Sequence, residues 1–373
     1  MRYTFAMNIA IDARFYGSGH TGLGRYTTNV MKYLPKYLQG YTLQVLLRDA
    51  EFDNFPSGKN IEKIHAEIPH YSFAEQIKLP SLLKSIGADL FYTFHFNTPI
   101  FANIPTIVTV HDLIKSHFTG SDTTTRAPWL YGLKRYGYNQ VIERTLTQAL
   151  DIIVPTNTVK NDILATFPMV KPERISPILE APDEIFRDFS TKVAVTPSRM
   201  KSRDLNLPTK FILFVGNAYP HKNLGVLLKA VQQLSDLELV IVAKPSLFLS
   251  RVLTPYDQTR IHILSNLTDK ELVTVYHQAQ ILVTPSLMEG YGLVGLEALM
   301  VGTPVIASNI AVYREVYGNK VTYFDPHSVL DLVRAIHSSL PHYPITSLPF
   351  LKRTWSDVAH DIAEVIHGRC TSL

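Results

Sequence analysis

Short apolar, β-branched runs recur along this chain, each followed by a segment with helical spacing, and that alternation constrains the fold more than any other feature. MNIAID (7–12), LQVLL (43–47), DLFYTF (89–94), TIVTVHD (106–112), DIIVPT (151–156) and RISPIL (174–179) have the length and composition of strands. Helical patterns over 26–38 and 130–150 fall between them. The series then begins again with KFILFVGN (210–217), ELVIVAK (238–244), IHILSN (261–266), AQILVTPS (279–286), TPVIAS (303–308) and VTYFD (321–325). Helical spacing intervenes there at 224–234, 269–277, 294–300 and 328–340. Strands separated by helices predict βαβ units, so the expected class is α/β with two Rossmann-like parallel-sheet domains. Such domains leave a cleft at the carboxyl ends of their strands, where ligands bind.

Between the two series lies 180–209, rich in Pro and charge and weak in periodicity, which reads as an interdomain linker. After a Pro-rich stretch (Pro341, Pro344, Pro349), a last helix over 354–367 carries Val358, Ile362, Val365 and Ile366 on one side. A length of 373 residues suits two domains. The 36 basic and 32 acidic residues give a net charge of +4 without the basic patch of a nucleic-acid binder, so no nucleic-acid partner is expected. The single cysteine, Cys370, forms no intrachain disulfide and suits a reducing compartment. With no signal peptide and no long apolar run, a cytoplasmic location is expected.

Two places have the spacing G-x-G-x-x-G: Gly17, Gly19, Gly22 and Gly290, Gly292, Gly295. A dinucleotide site needs a strand before, a helix after, and an acid ending the next strand for the ribose. The second cluster lacks the acid, since TPVIAS ends in Ser308 and Asn309. The first begins late after its strand but has Asp49 downstream, which keeps an NAD-dependent oxidoreductase open. Neither is a P-loop, because no Gly-Lys-Ser or Gly-Lys-Thr follows. The second cluster offers a helix start, whose free N–H groups and dipole favour an anion. Glu289 precedes that helix and Glu297 lies about one turn inside it, flanking the glycines. Acids near a helix N-terminus also serve as plain dipole partners. Around a phosphate site, two acids suit the hydroxyls of a sugar and a ribose.

SLMEGYGLVGLEALMVGTPVIAS resembles the E-x7-E signature of the retaining glycosyltransferases of family 4, which have the GT-B fold. IDARFYGSGHTGLGRYTTNVMKYL, IVTVHDLI, ALDIIVPTNTVKNDI and FVGNAYPHKNLGVLLKAV resemble further segments of mannosyltransferase-like members, in the same order. The resemblance implies two facing domains: 1–182 plus a returning helix at 356–373 on the acceptor side, and 183–355 binding the donor. It implies that Glu289 contacts hydroxyls of the donor sugar, that Glu297 takes the ribose, and that the backbone of Gly290, Tyr291, Gly292, Leu293 and Val294 faces the sugar and diphosphate. Lys222 would neutralise the leaving diphosphate, His111 would sit by the donor sugar, and the loop Gly22–Gly24 would approach the phosphates across the cleft. No metal or cofactor is implied.

Three positions depart from the family pattern. Asn217 stands where Arg is common, so neutralisation rests on Lys222 with His221 or Arg25 as helpers. Tyr291 replaces Phe, and Val294 stands where Pro is frequent at a first helical turn. The residues also have plainer readings: His111 as a structural side chain ending a strand, and Lys222 as a solvated lysine, although a cation is unfavourable at a helix N-terminus. The aromatic and basic segment RAPWLYGLKRYGYNQ (126–140) suits either a membrane or lipid-linked acceptor, or ordinary packing with a solvated face.

The expectation is an enzyme that transfers a hexose, mannose first, with retention. The donor is a nucleotide diphosphate sugar, GDP-mannose first and UDP-glucose behind it. The acceptor is a saccharide or lipid-linked glycan in surface polysaccharide synthesis, with peripheral contact at the inner membrane face. The oxidoreductase and an inactive sugar-nucleotide-binding homologue remain as alternatives.

Overall fold

A computed structural model of the chain describes residues 7–17, 21–120, 123–124, 128–193, 205–338 and 352–372. The elements run β1 (Asn8–Asp12), α1 (Thr21–Tyr37), β2 (Thr42–Leu47), α2 (Asp49–Phe52), β3 (Ile61–His65), α3 (Phe73–Ser85), β4 (Leu90–Thr93), β5 (Thr106–Thr109), α4 (Ile114–His117), α5 (Pro128–Gln148), β6 (Asp151–Val154), α6 (Asn157–Thr166) and β7 (Ile175–Pro177). They continue as α7 (Glu184–Val193), β8 (Phe211–Val215), α8 (Leu224–Val231), β9 (Glu238–Val242), α9 (Leu247–Leu253), β10 (Ile261–Leu264), α10 (Asp269–Gln278), β11 (Ile281–Thr284), α11 (Leu293–Met300), β12 (Val305–Ser308), α12 (Ala311–Tyr317), β13 (Thr322–Phe324), α13 (Val329–His337) and α14 (Trp355–Cys370). No helix among the described residues is long and apolar enough to cross a membrane.

One compact unit comprises Met1–Leu113, Ala127–Glu180 and Trp355–Leu373; the other comprises Ile114–Arg126 and Ala181–Thr354. The first holds a seven-stranded sheet of order β3-β2-β1-β4-β5-β6-β7, the second a six-stranded sheet of order β10-β9-β8-β11-β12-β13. Every strand pairing is parallel. Each order reverses once, beside β1 in the first sheet and beside β8 in the second, which is the doubly wound topology.

In the second unit the side-chain alternation of the strands divides the core in two. Phe211, Leu213, Val240 and Leu282 meet α7, α10, α11 and α12 on one face. Ile212, Phe214, Leu239 and Ile241 meet α8, α9 and α13 on the other. Helix starts are set by short polar side chains: Ser72, Thr156, Ser246 and Ser328 cap α3, α6, α9 and α13, and Thr268 forms a capping box with Glu271 on α10.

The segment read as a linker is helical over Glu184–Val193, and residues 194–204 lie outside the described residues. Its apolar positions are few, but Phe186 is fully buried against Tyr276, their rings 5.8 Å apart. Strand β3 was not expected, because IEKIH alternates at a half-exposed edge and has no apolar run. The Pro-rich stretch with Pro341, Pro344 and Pro349, and Gly19 of the first glycine cluster, also lie outside the described residues. Helix α14 packs in the first unit, burying Val358, Ile362 and Ile366. It is tied there by Ser356 to the Tyr37 hydroxyl (2.8 Å) and by Arg369 to Asp151 (2.8 Å).

A buried charge cluster pins three loops at the carboxyl edge of the first sheet. Arg14, 1% exposed, donates to both oxygens of Asp12 (2.7 and 2.6 Å), to Glu75 Oε1 (2.8 Å) and to the Ile68 carbonyl (2.9 Å). Glu75 Oε2 accepts from the Tyr71 N–H (2.7 Å) and from Asn97. Burial opposes charge on Asp12, yet Arg14 holds its carboxyl below the ordinary value. Removing Glu75 leaves Arg14 with Asp12 as its one carboxylate partner and takes the acceptor from the Tyr71 N–H and from Asn97 in the interior. Glu75→Ala is therefore expected to cost the first unit about 3–5 kcal/mol, read as a lower first transition in chemical denaturation of the whole chain, with Glu75→Gln costing less.

Candidate active site

In a doubly wound sheet the loops after the two strands at the order reversal diverge and leave a crevice between them. In the second unit those are the loops after β8 and β11, and they carry Lys222 and Glu289. The first loop opens at Gly216, whose φ of +141° suits glycine and whose missing Cβ faces open space. A 3-10 turn, Pro220–Lys222, follows, and Asn223 takes a left-handed φ of 53° before α8. Its side chain reaches the Pro326 carbonyl at 2.8 Å. The Leu287 N–H donates to the His221 carbonyl at 2.7 Å, sewing the two loops together.

Lys222 Nζ lies 2.5 Å from Glu289 Oε1, and the two side chains are 23% and 13% exposed. The same Oε1 accepts from Ser286 (2.7 Å) and from the Tyr313 hydroxyl (3.2 Å). Among the described residues none of these bonds uses Oε2. Burial opposes ionisation of Glu289, but Lys222, its hydrogen bonds and nearby His221 hold the carboxyl below the usual 4.5. The site therefore offers a charged acceptor oxygen beside an ammonium group. Hydroxyls and a phosphate are what such a pair can bind together.

Beyond Glu289 the chain turns at Gly292, with φ +99°, and enters α11. Gly290 and Tyr291 are buried, and Leu293 and Val294 form the half-buried first turn. Glu297 is on the buried side of α11, 5% exposed, and its Oε2 accepts from the Tyr276 hydroxyl at 2.9 Å. Asn217 is half-buried, and its side chain has no hydrogen-bond partner among the described residues.

Gly22, Gly24, Arg25 and His111 belong to the first unit. Gly22–Gly24 do not form the expected loop, because α1 already begins at Thr21 and they make its first turn together with Arg25. His111 ends up with both ring nitrogens engaged, Nδ1 with Glu180 Oε1 (3.3 Å) and Nε2 with the Phe94 carbonyl (3.1 Å). Both partners are acceptors, so the arrangement favours the doubly protonated ring. Burial opposes that charge, but Glu180, Asp112 and the carbonyl outweigh it and raise the imidazole above 6.5. A ring so held has no free nitrogen to accept a proton.

Of the oxidoreductase alternative, Asp49 is bonded to His65 at 2.8 Å, and a Cβ on Gly17 would meet the Glu51 carboxylate at 2.5 Å. Glu180, Ser286 and Tyr313 escaped the sequence reading. Each lies outside the motif that singled out its partner, except Ser286, which sits three residues before Glu289 without a residue type that distinguishes it from a loop serine.

Residues 20–179 match the family model described as Glycosyltransferase Family 4, and residues 195–343 match that of Glycosyl transferases group 1. The O-antigen chain mannosyltransferase RfbU of Salmonella typhimurium is 26% identical over 261 residues, 69% of this chain and 66% of that protein. The serotype-specific mannosyltransferase WbdA of Escherichia coli is 32% identical over 146 residues, 36% of this chain. The matches thus span just under two thirds of RfbU and 18% of WbdA. WaaG, a glycosyltransferase involved in lipopolysaccharide biosynthesis, has a similar fold with a TM-score of 0.62 and 17% identity, covering 95% of each chain.

Burial, with Lys222 beside it, pushes the His221 imidazole down from 6.5 to about 4. Between those values the unfolded chain binds a proton that the folded chain does not, so stability falls as pH falls. Melting of the second unit is expected to drop from pH 6.5 towards 4, with the window above 4.5 belonging to His221 rather than to Glu289. His221→Gln should flatten that part of the profile; an unchanged slope would remove His221 as its source.

Proposed function

We infer the reaction from the family: the chain belongs to the group 1 and family 4 glycosyltransferases. It transfers a hexose from a nucleotide diphosphate sugar to a saccharide or lipid-linked glycan, with the anomeric configuration retained. The observation that carries this reading is the pairing of Lys222 and Glu289 at the crevice beside β8. Glu289 Oε2 accepts from hydroxyls of the donor hexose, and Glu297 takes the ribose hydroxyls. The diphosphate lies against the backbone N–H groups of Gly290–Val294 at the start of α11. Lys222 turns to it, and needs no divalent cation to assist.

In the transfer, the acceptor hydroxyl oxygen bonds to the anomeric carbon on the face from which the diphosphate departs. The bond from that carbon to the diphosphate oxygen breaks, and the leaving phosphate takes the hydroxyl proton. Negative charge grows on the diphosphate in the transition state, where the Lys222 ammonium and the helix start stabilise it most. The protein otherwise contributes by holding the reactants in place.

The donor is GDP-mannose, a choice supported by the mannosyltransferase names of RfbU and WbdA. The product belongs to a surface polysaccharide, made at the cytoplasmic face of a membrane. Helix α5 supports the membrane contact: Trp129, Leu133 and Tyr136 are 73%, 62% and 66% exposed at helical spacing, with Lys134 and Arg135 between them. Exposed aromatic and basic side chains together suit an anionic lipid surface.

A thermal-shift screen of GDP-mannose, GDP, UDP-glucose and UDP is expected to raise the melting temperature with the guanine pair most. No shift with any nucleotide would sink the reading. Lys222→Ala and Glu289→Ala are each expected to lower kcat/KM by about a hundredfold or more, and EDTA to leave the wild-type rate unchanged. Vesicles containing phosphatidylglycerol should sediment the protein, and Trp129→Ser with Leu133→Ser should weaken that binding about tenfold; equal sedimentation of both proteins would remove α5 as the contact.

A further inference from the structure

Helix α12 carries two fully buried tyrosines, Tyr313 and Tyr317, stacked with ring centroids 4.9 Å apart and planes at 22°. They lie directly on the glycine-rich turn. A Cβ on Gly292 would sit 2.5 Å from the Tyr317 hydroxyl and 2.7 Å from the Tyr313 ring, and one on Gly295 would sit 2.5 Å from the Tyr317 ring. These two glycines are thus required by the tyrosine rings. The Tyr317 hydroxyl donates to the Gly292 carbonyl at 2.5 Å, holding the turn from behind. The helix is itself anchored, because the single proton of the Tyr323 hydroxyl lies within reach of the carbonyls of Gly318 (2.7 Å) and Tyr313 (2.9 Å).

The Tyr313 hydroxyl has one proton, and Glu289 Oε1 is an acceptor only. Tyr313 therefore donates to Glu289, and Thr284, 2.5 Å away on β11, donates to the Tyr313 oxygen. The relay runs from the end of β11 through α12 to the Glu289 carboxylate. It acts on the oxygen that also accepts from Lys222 and Ser286.

We propose that Tyr313 is a positioning residue that holds Glu289 by Oε1, so that Oε2 stays turned towards the hexose of the donor after Lys222 has left for the diphosphate. This assignment rests on the donor site proposed above and specifies how that site recognises the sugar as distinct from the nucleotide. Lys222 serves two anions in turn. Once it moves, Ser286 and Tyr313 are what remain on Oε1. Tyr317 acts on the Gly292 backbone instead, and has no bond to Glu289.

The test compares Tyr313→Phe with Tyr317→Phe and the wild type, by titration calorimetry with GDP-mannose and with GDP, or with UDP-glucose and UDP where thermal shift selects that pair. Tyr313→Phe keeps the ring that covers the glycines and removes only the hydroxyl. It is expected to weaken binding of the nucleotide sugar about tenfold while leaving the nucleoside diphosphate within about twofold. Tyr317→Phe is expected to leave the ratio of the two affinities unchanged. An unchanged ratio in Tyr313→Phe overturns the assignment, and so does the same change of ratio in Tyr317→Phe, which would trace it to loosened packing. Wild-type protein that binds no nucleotide sugar overturns the proposed function and this assignment with it. Wild-type binding with an unaltered Tyr313→Phe overturns this assignment alone.

Discussion

Because every strand pair in both sheets is parallel, each strand must be followed by a connection that carries the chain back before the next can pair. All the segments leaving the strands therefore gather at one edge of each sheet. Where the strand order reverses, two of them part. The residues that matter most stand at those partings: Lys222 and Glu289 after β8 and β11, and Arg14 and Asn97 after β1 and β4. Helices on both faces bury the strands so that the crevice, not the sheet, meets solvent.

The two partings are furnished differently. In the first unit the Arg14 guanidinium makes four bonds, two to Asp12 and one each to Glu75 and the Ile68 carbonyl, with 1% of its surface exposed. Such a cluster holds loops in place. In the second unit three donors converge on one oxygen of Glu289 and leave the other without a bond among the described residues. A partly satisfied carboxylate is kept charged by its lysine at the edge of the interior, where a ligand can complete its bonds.

Much of this was legible in the amino-acid order, and the failures have physical causes. Twelve of the thirteen strands come from the apolar runs: the central strands, buried on both faces, read as continuous apolar segments, and the edge strands β7, β10 and β13 keep enough apolar positions to be seen. The thirteenth, β3, is a half-exposed edge whose alternation is short. Helix α7 was hidden in a segment rich in charge and Pro, where Phe186 is fully buried and Ile185 and Phe189 pack beside it. The start of α1 at Thr21 was missed because Gly22 and Gly24 are poor helix formers, and tertiary packing overrides that weak preference. At the site, Glu289, Glu297 and Lys222 were found through short motifs. Glu180 and Tyr313 were not, because they lie 69 and 24 residues from the partners they serve.

The sequence by itself determined the layer architecture and the alternation of most strands with helices, since periodicity is a local property of the chain. It also singled out the stretch Glu289–Glu297 by its glycines and flanking acids. Only the tertiary structure decided why the glycines of that stretch are glycines. Gly292 and Gly295 leave room for Tyr317 and Tyr313, which follow them by more than a dozen residues. Only folding, too, selected which oxygen of Glu289 is held and which is left without a bond among the described residues. Such choices depend on side chains brought within hydrogen-bond reach from separate elements, and no local pattern records that distance.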